Sequence, residues 1–318
     1  MKNQNNQNKS EVYLKDILDN ISILTENEIA KLKTTDEGNL ILNFLDSCKT
    51  KDELGPHEVL GLSLATEFIQ LPTFKISTFA TKQQIKDLEN YKIDSKSILE
   101  STILNEFSQS LLKNAFNKIK NQSQDFSSML KSNLLKKLFK KIKKFVFKLL
   151  KINYIEKIKV NSDRIFISKL LTMSNKIAME TRIGAGHFII CSPGVATIFE
   201  DMSFFNYNNT VPVMKNTTFQ VIGNIANLKV IVDYNMKFND TTVYVGQSTK
   251  ENQKGCYLII NKNSFDISAE ENKDNMGNKI TLSGRYETHI TKNSNSKYLK
   301  ATFKFGKNLN QNKLFKKC

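Results

Sequence analysis

A chain of 318 residues, 40% of them apolar, is long enough for one or two domains and for burial of roughly three quarters of its unfolded surface. No run of about 18 uncharged apolar residues occurs, so no transmembrane helix is expected. The net charge of +16 rests on 47 Lys and Arg, of which only Arg164, Arg182 and Arg285 are arginine, leaving 44 lysines. Base readers and bidentate phosphate sites favour the planar guanidinium, so this charge is not a signature of sequence-specific nucleic-acid recognition.

The opening, Met1 to Ser10, is rich in Asn and Gln and has no apolar core, which excludes a secretory signal and leaves cytoplasmic synthesis as the expectation. Residues 10–50 read as short amphipathic helices. Leu14, Ile17, Leu18 and Ile21 recur at helical spacing, Thr25 and Glu28 fit a capping box, and Leu40, Ile41, Phe44 and Leu45 predict a third helix. Gly55-Pro56 breaks the pattern, so residues 1–57 form a helical N-terminal arm in this reading. Phe68 to Pro72 and Phe74 to Phe79 read as extended. Ser97 and Glu100 fit another capping box. Leu99, Ile103, Phe107, Leu111, Leu112, Ala115, Phe116 and Ile119 then trace one apolar stripe, predicting a helix over 97–120 about 36 Å long.

Residues 131–159 keep Leu135, Leu138, Ile142, Phe145, Leu149 and Ile152 at three–four spacing. Lys136, Lys137, Lys140, Lys141, Lys143, Lys144, Lys148 and Lys151 fill the other faces, and Glu156 is the single acid. Such a basic amphipathic helix fits a solvated face, a nucleic-acid contact or a membrane-surface contact. Ile165, Ile167, Leu170, Leu171 and Ile177 predict a helix over 163–181. Gly184 and Gly186 predict a tight turn with positive φ. A strand over 188–191 follows, then a helix started by Ser192 as cap and Pro193 at its first position. From 210 onward the pattern is strands: 211–213, 218–222, 229–234, 242–246, 256–261, 279–283, 285–291 and 298–305. Helices first and strands later make the fold class α+β.

The stretch Thr181-Arg-Ile-Gly-Ala-Gly-His-Phe-Ile-Ile-Cys-Ser-Pro-Gly-Val-Ala-Thr-Ile-Phe199 resembles the T4-type major capsid protein family of tailed phages. Members carry Thr-Arg-Arg-Gly-x-Gly-Asn, an apolar strand ending in Ser, and a short helix. Gly223 to Tyr234, Tyr244-Val-Gly246 and Gly255-Cys-Tyr257 resemble the family's next segments in order. Phe79 to Glu106 resembles the approach to its spine helix, and Ser283-Gly-Arg-Tyr286 echoes a later segment. Ile183 and His187 depart from the usual Arg and Asn.

The resemblance covers about 75–305 and implies an HK97-like fold, with a peripheral domain around a long spine helix and an axial domain around a central sheet. The expected parts are residues 1–57, arm or assembly segment; 58–130, reduced extended-loop strands and spine helix; 131–162, basic insertion; 163–260, axial domain; and 261–318, strands returning to the peripheral domain. The chain is short before residue 75 compared with typical members, so the loop that overlaps a neighbouring subunit is expected to be reduced or missing. Thr181, Arg182, Gly184, Gly186, Ser192 and Pro193 are the family-motif structural residues. Leu24-Thr25-Glu26 fits the family's Leu/Ile-x-Glu trimming motif, which implies maturation cleavage after Glu26.

No reaction is legible. Gly184-x-Gly186 lacks the third glycine of a dinucleotide loop, where Ile189 stands, and no Walker loop is present. His187 and Cys191 share a strand face but lie about 13 Å apart along it, beyond hydrogen-bond reach, and Ser192 reads as a helix cap. Cys48, Cys191, Cys256 and Cys318 form no C-x-x-C pair, and His57, His187 and His289 are far apart in sequence, so neither a zinc site nor a disulfide framework is expected. No cofactor or small-molecule substrate is implied. The resemblance implies homo-oligomers (capsid hexamers and pentamers), other phage head proteins and non-specific contact with packaged DNA, with a virion location. The pentameric vertex paralogue stays open, as does a basic nucleic-acid- or membrane-binding protein of another class.

Overall fold

The computed structural model describes residues 15–16, 30–51, 58–126, 157–160, 162–207, 218–247, 255–272, 277–291 and 297–305. In chain order the elements are β1 (Lys31–Thr35), β2 (Asn39–Lys51), β3 (Glu58–Gln70), β4 (Thr73–Ala80), α1 (Lys82–Asn90), α2 (Ser95–Gln122), β5 (Gln124–Asp125), β6 (Lys157–Val160), α3 (Asp163–Thr181), β7 (Phe188–Cys191), α4 (Pro193–Glu200), β8 (Phe205–Tyr207), β9 (Phe219–Ile225), β10 (Leu228–Asp233), β11 (Thr242–Gly246), β12 (Cys256–Asn261), β13 (Asp266–Asn272), β14 (Gly277–Ile290) and β15 (Tyr298–Phe305). The chain divides into two units, residues 1–119 with 248–294 and residues 120–247 with 295–318.

In the first unit β14 is the organising strand. It pairs antiparallel with β4, with β13 and with β12, and β12 pairs in parallel with β1. Helix α2 buries the predicted stripe from Leu99 to Ile119. Phe107 stacks on Phe74 with centroids 4.3 Å apart and meets Phe265 and Tyr286 edge-on. The Asn114 side-chain amide donates to the Tyr286 hydroxyl at 3.0 Å. The Lys118 ammonium donates to the Glu287 carboxylate and the Thr288 carbonyl. The helix begins two residues before the expected Ser97 cap, because the Asp94 carboxylate accepts from the Lys96 N–H at 3.1 Å.

Strands β2 and β3 correct the sequence reading most. Leu40, Ile41, Phe44 and Leu45, predicted as a helix, lie in a strand. β2 and β3 pair antiparallel at every position from Asn39↔Gln70 to Lys51↔Glu58, an arm about 44 Å long. A short apolar run fits either period, and the strand that supplies the hydrogen bonds comes later in the chain. Where the extended loop was expected to be reduced or missing, this stretch carries a 13-residue strand on each side. Leu42, Ile69 and Leu71 anchor the base of the arm on Tyr257 and Ile259. His289 Nε2 lies 2.6 Å from Glu67 Oε2 at the same base.

The second unit is built on one sheet in the order β5-β15-β11-β7-β10-β9-β8, with β6 also paired to β15. β7 is buried throughout, parallel to β10 and antiparallel to β11. Helices α3 and α4 share one core with the Ile189 and Cys191 face of β7. Phe166 of α3 stacks on Phe199 of α4 at 5.2 Å and meets Phe303 edge-on at 4.7 Å.

The division of the chain differs from the expected parts at three strands. β5 was assigned with the spine helix in 58–130 and lies in the second unit. β12 was assigned with the axial segment and lies in the first unit. β15 was assigned to the returning strands and lies in the second unit. β6 also replaces the end of the predicted basic helix. Its Ile158 and Val160 are buried, and β15 gives it a parallel partner 145 residues away in sequence at Lys157↔Thr302. The predicted strands 279–283 and 285–291 are one strand. Gly284 does not break it; a Cβ there would lie 2.8 Å from the Phe74 ring, so the glycine makes room for the aromatic cluster. The expected elements at 131–156 and 211–213 lie outside the described residues, as do those at 10–28 apart from Lys15 and Asp16, which are helical.

Candidate functional site

The segment from Thr181 to Pro193 links α3, β7 and α4. The Thr181 hydroxyl donates to the Ile177 carbonyl at 2.8 Å and accepts from the Ile183 N–H at 3.3 Å. Arg182 closes α3 with φ 58, and its N–H donates to the Ala178 carbonyl. The expected positive φ at Gly184 and Gly186 is absent: among the described residues no glycine has one, and the left-handed residue of this turn is Arg182, which shares that conformation with Lys92 and Ala226 elsewhere. Gly186 is needed for close approach instead. A Cβ there would lie 3.0 Å from Ile177 Cδ1 and Val245 Cγ1, and 3.2 Å from the Gly246 carbonyl oxygen. The Gly186 N–H donates to the Ser174 carbonyl, and the Ser174 hydroxyl donates back to the Gly186 carbonyl at 2.6 Å. At Gly184 a Cβ would lie 3.1 Å from Gln247 Nε2.

Ser192 and Pro193 start α4 as expected. The Ser192 hydroxyl oxygen accepts from the Val195 N–H at 3.3 Å, and its proton goes to the Asp240 carbonyl at 2.6 Å. A hydroxyl held this way is not a nucleophile. The Cys191 thiol is fully buried and its pKa is pushed up, first by desolvation and then by Glu200 and Asp233, so no thiolate forms near neutrality. Among the described residues no group of three or more His, Cys, Asp and Glu is placed to hold a metal ion, and no helix is long and apolar enough to cross a membrane.

Burial also pushes the Cys256 thiol up to about 12, with Lys118 opposing the shift. Tyr244 and Tyr257 rise to about 12, again mainly by burial. Below pH 9.0, the ordinary thiol value, folded and unfolded Cys256 are both protonated and nothing is lost. Between 9.0 and about 12 the unfolded thiol ionises while the folded one stays neutral, so stability falls as pH rises through that window. Cys191 and Cys256 are therefore expected to resist iodoacetamide at pH 8 in the folded protein and to react after urea unfolding, as read by peptide mass spectrometry. Labelling of either before unfolding would contradict the burial described.

Sequence reasoning missed two polar contacts. Lys120, in the last turn of α2, pairs with the buried Asp233 at the end of β10 and lies 5.8 Å from the Tyr244 ring centroid. Its signal was an acid closing the otherwise apolar run Leu228–Asp233 apart from Lys229. The Glu67–His289 pair has no local signal, because its members are 222 residues apart. Lys136, Lys137, Lys140, Lys141, Lys143, Lys144, Lys148, Lys151 and Glu26 lie outside the described residues.

The described wiring holds backbone against backbone and presents no reacting groups. The sequence pattern of the family described as "Major capsid protein Gp23" matches residues 2–258. The chain belongs to the Gp23 major capsid protein family. Its role is that of a major capsid protein of a tailed-phage head, and the family and fold are structural. The virion is the location that membership gives it.

No curated protein sequence matches this Gp23-family chain. Among solved structures, the capsid of Ralstonia phage GP4 is similar at 11% identity and TM-score 0.50, covering 88% of each chain. The capsid of the cyanophage P-SCSP1u is similar at 8% identity and TM-score 0.50, also covering 88% of each. The capsid of an empty GTA particle gives 8% identity and TM-score 0.51 over 87% of this chain and 88% of the other. At such identities the likeness shows the fold, which is α+β of the HK97 type.

Proposed function

We propose that copies of this chain associate as hexamers and pentamers into the shell of a phage head, assembled in the host cytoplasm around double-stranded DNA. The first unit serves as the peripheral domain and the second as the axial domain. The protein acts without cofactor, small-molecule substrate or catalytic step. Other head proteins complete the particle, the lysines of 131–159 touch packaged DNA without reading its sequence, and maturation cuts after Glu26. The match over residues 2–258 is the observation that carries this reading. It is supported by the segment Thr181 to Pro193, in which the Thr181 and Ser192 hydroxyls and the Gly186 carbonyl are spent on internal hydrogen bonds.

Electron microscopy of the purified full chain tests the reading. Closed shells or rings of copies are expected. The chain recovered from mature particles should begin at residue 27 by mass spectrometry, and bound nucleic acid should be released as salt rises. A protein that stays monomeric at every concentration would overturn the proposal.

A further inference from the structure

Arg182 is costly where it stands. The residue that ends α3 has φ 58, a conformation in which glycine is the usual occupant because a Cβ is disfavoured there. The chain uses lysine for 44 of its 47 basic residues, yet it places one of three arginines at this position. A guanidinium differs from an ammonium by its planar fork, which grips a carboxylate with two parallel hydrogen bonds. Arg182 is exposed, and its side chain has no ion pair or hydrogen bond among the described residues. Met179, three residues back on the last turn of α3, and Ile183, the next residue in the chain, are 66% and 41% exposed. Arg and Met beside an aliphatic residue form the composition that interface centres favour.

A complementary feature lies in the same unit. Glu200 and Asp201 close α4 and are exposed. Carboxylates at a helix C-terminus face the negative end of the dipole, and no basic residue occupies the last turn to offset them. Neither has an ion pair among the described residues. The Phe166–Phe199 stack sets the end of α4 beside the start of α3. Arg182 follows the other end of that 19-residue helix, about 24 Å along it from Phe166. The two patches thus sit too far apart to meet within one copy. Placed at opposite ends of one rod, they suit a head-to-tail contact, the kind that closes rings when repeated.

We infer that the Arg182 corner of one copy, with Met179 and Ile183, docks on the Glu200–Asp201 end of α4 in the next copy. This rests on the shell-forming reading above and adds the residues that join neighbours. The test measures the concentration at which the full chain assembles, by light scattering and electron microscopy. Arg182→Glu is expected to raise it about thirtyfold, the scale of one interface hot spot. Arg182→Gly relaxes the left-handed backbone, so it should raise the unfolding temperature of the unassembled protein while still weakening assembly. A merely structural role for Arg182 would not separate those two readings. The triple variant Arg182→Glu, Glu200→Lys, Asp201→Lys is expected to return assembly to within about threefold of the original. Assembly unchanged by Arg182→Glu, or not restored by the triple exchange, overturns the docking while the shell reading stands. A parent protein that never assembles sinks the shell reading, and the docking with it.

Discussion

Phe107→Ala is expected to lower the stability of the unassembled protein by about 3–5 kcal/mol. Phe107 is fully buried in α2, stacked on Phe74 at an interplanar angle of 11° and edge-on to Phe265 at 5.5 Å and Tyr286 at 5.3 Å. Truncation removes the transfer energy of the ring and leaves a cavity whose walls are rings from β4, β14 and the turn before β13. Those walls cannot collapse easily. Phe74 packs over Gly284, and the Tyr286 hydroxyl is held by Asn114. Phe107→Leu keeps much of the volume and should cost less than half as much. Urea unfolding followed by far-ultraviolet circular dichroism reads both variants. A loss below about 1 kcal/mol for the alanine variant would show that the cluster is not a core.

Lys120→Met is expected to cost about 3 kcal/mol, mainly by stranding a charge. Asp233 is 2% exposed and Lys120 14%. Removing one partner of such a pair leaves the other ionised where water cannot reach it. The cost sits at the low end of the range because Asp233 Oδ1 also accepts from the Asn235 N–H at 2.8 Å and its side-chain amide at 3.0 Å. The second substitution separates this account from simple loss of packing. Lys120→Met with Asp233→Asn removes both charges and should recover at least half of the loss. A double variant as unstable as the sum of the two singles would mean that the pair does not couple.

Long periodic elements were legible in the sequence because their partners do not change their period. The stripe from Leu99 to Ile119, helix α3, the Ser192-Pro193 start and most later strands stand where the residues put them. β1, β2 and β6 were not legible. Each is short or ambiguous in period and becomes a strand through a partner far along the chain. β13 was missed because Asp266 to Asn272 is mostly polar and is held by its hairpin with β14. Gly184 and Gly186 were placed at the right turn for the wrong reason. Composition reveals that a residue is small, but only the packed neighbours reveal that room is what is needed. The Thr181 to Pro193 segment was found through its family pattern, whereas the Lys120–Asp233 pair and the Glu200–Asp201 end of α4 needed the folded geometry.

Both sheets take strands from distant parts of the chain. Lys31 pairs with Tyr257, and Tyr244 pairs with Lys300. During translation, at about 5–20 residues per second, a ribosome that has released β1 works for roughly 10–45 s before β12 emerges. Until then β1 has no β12 to pair with, and the second sheet lacks β15. A half-made chain therefore has neither sheet complete, and both stay open until the strands that fill them have been made.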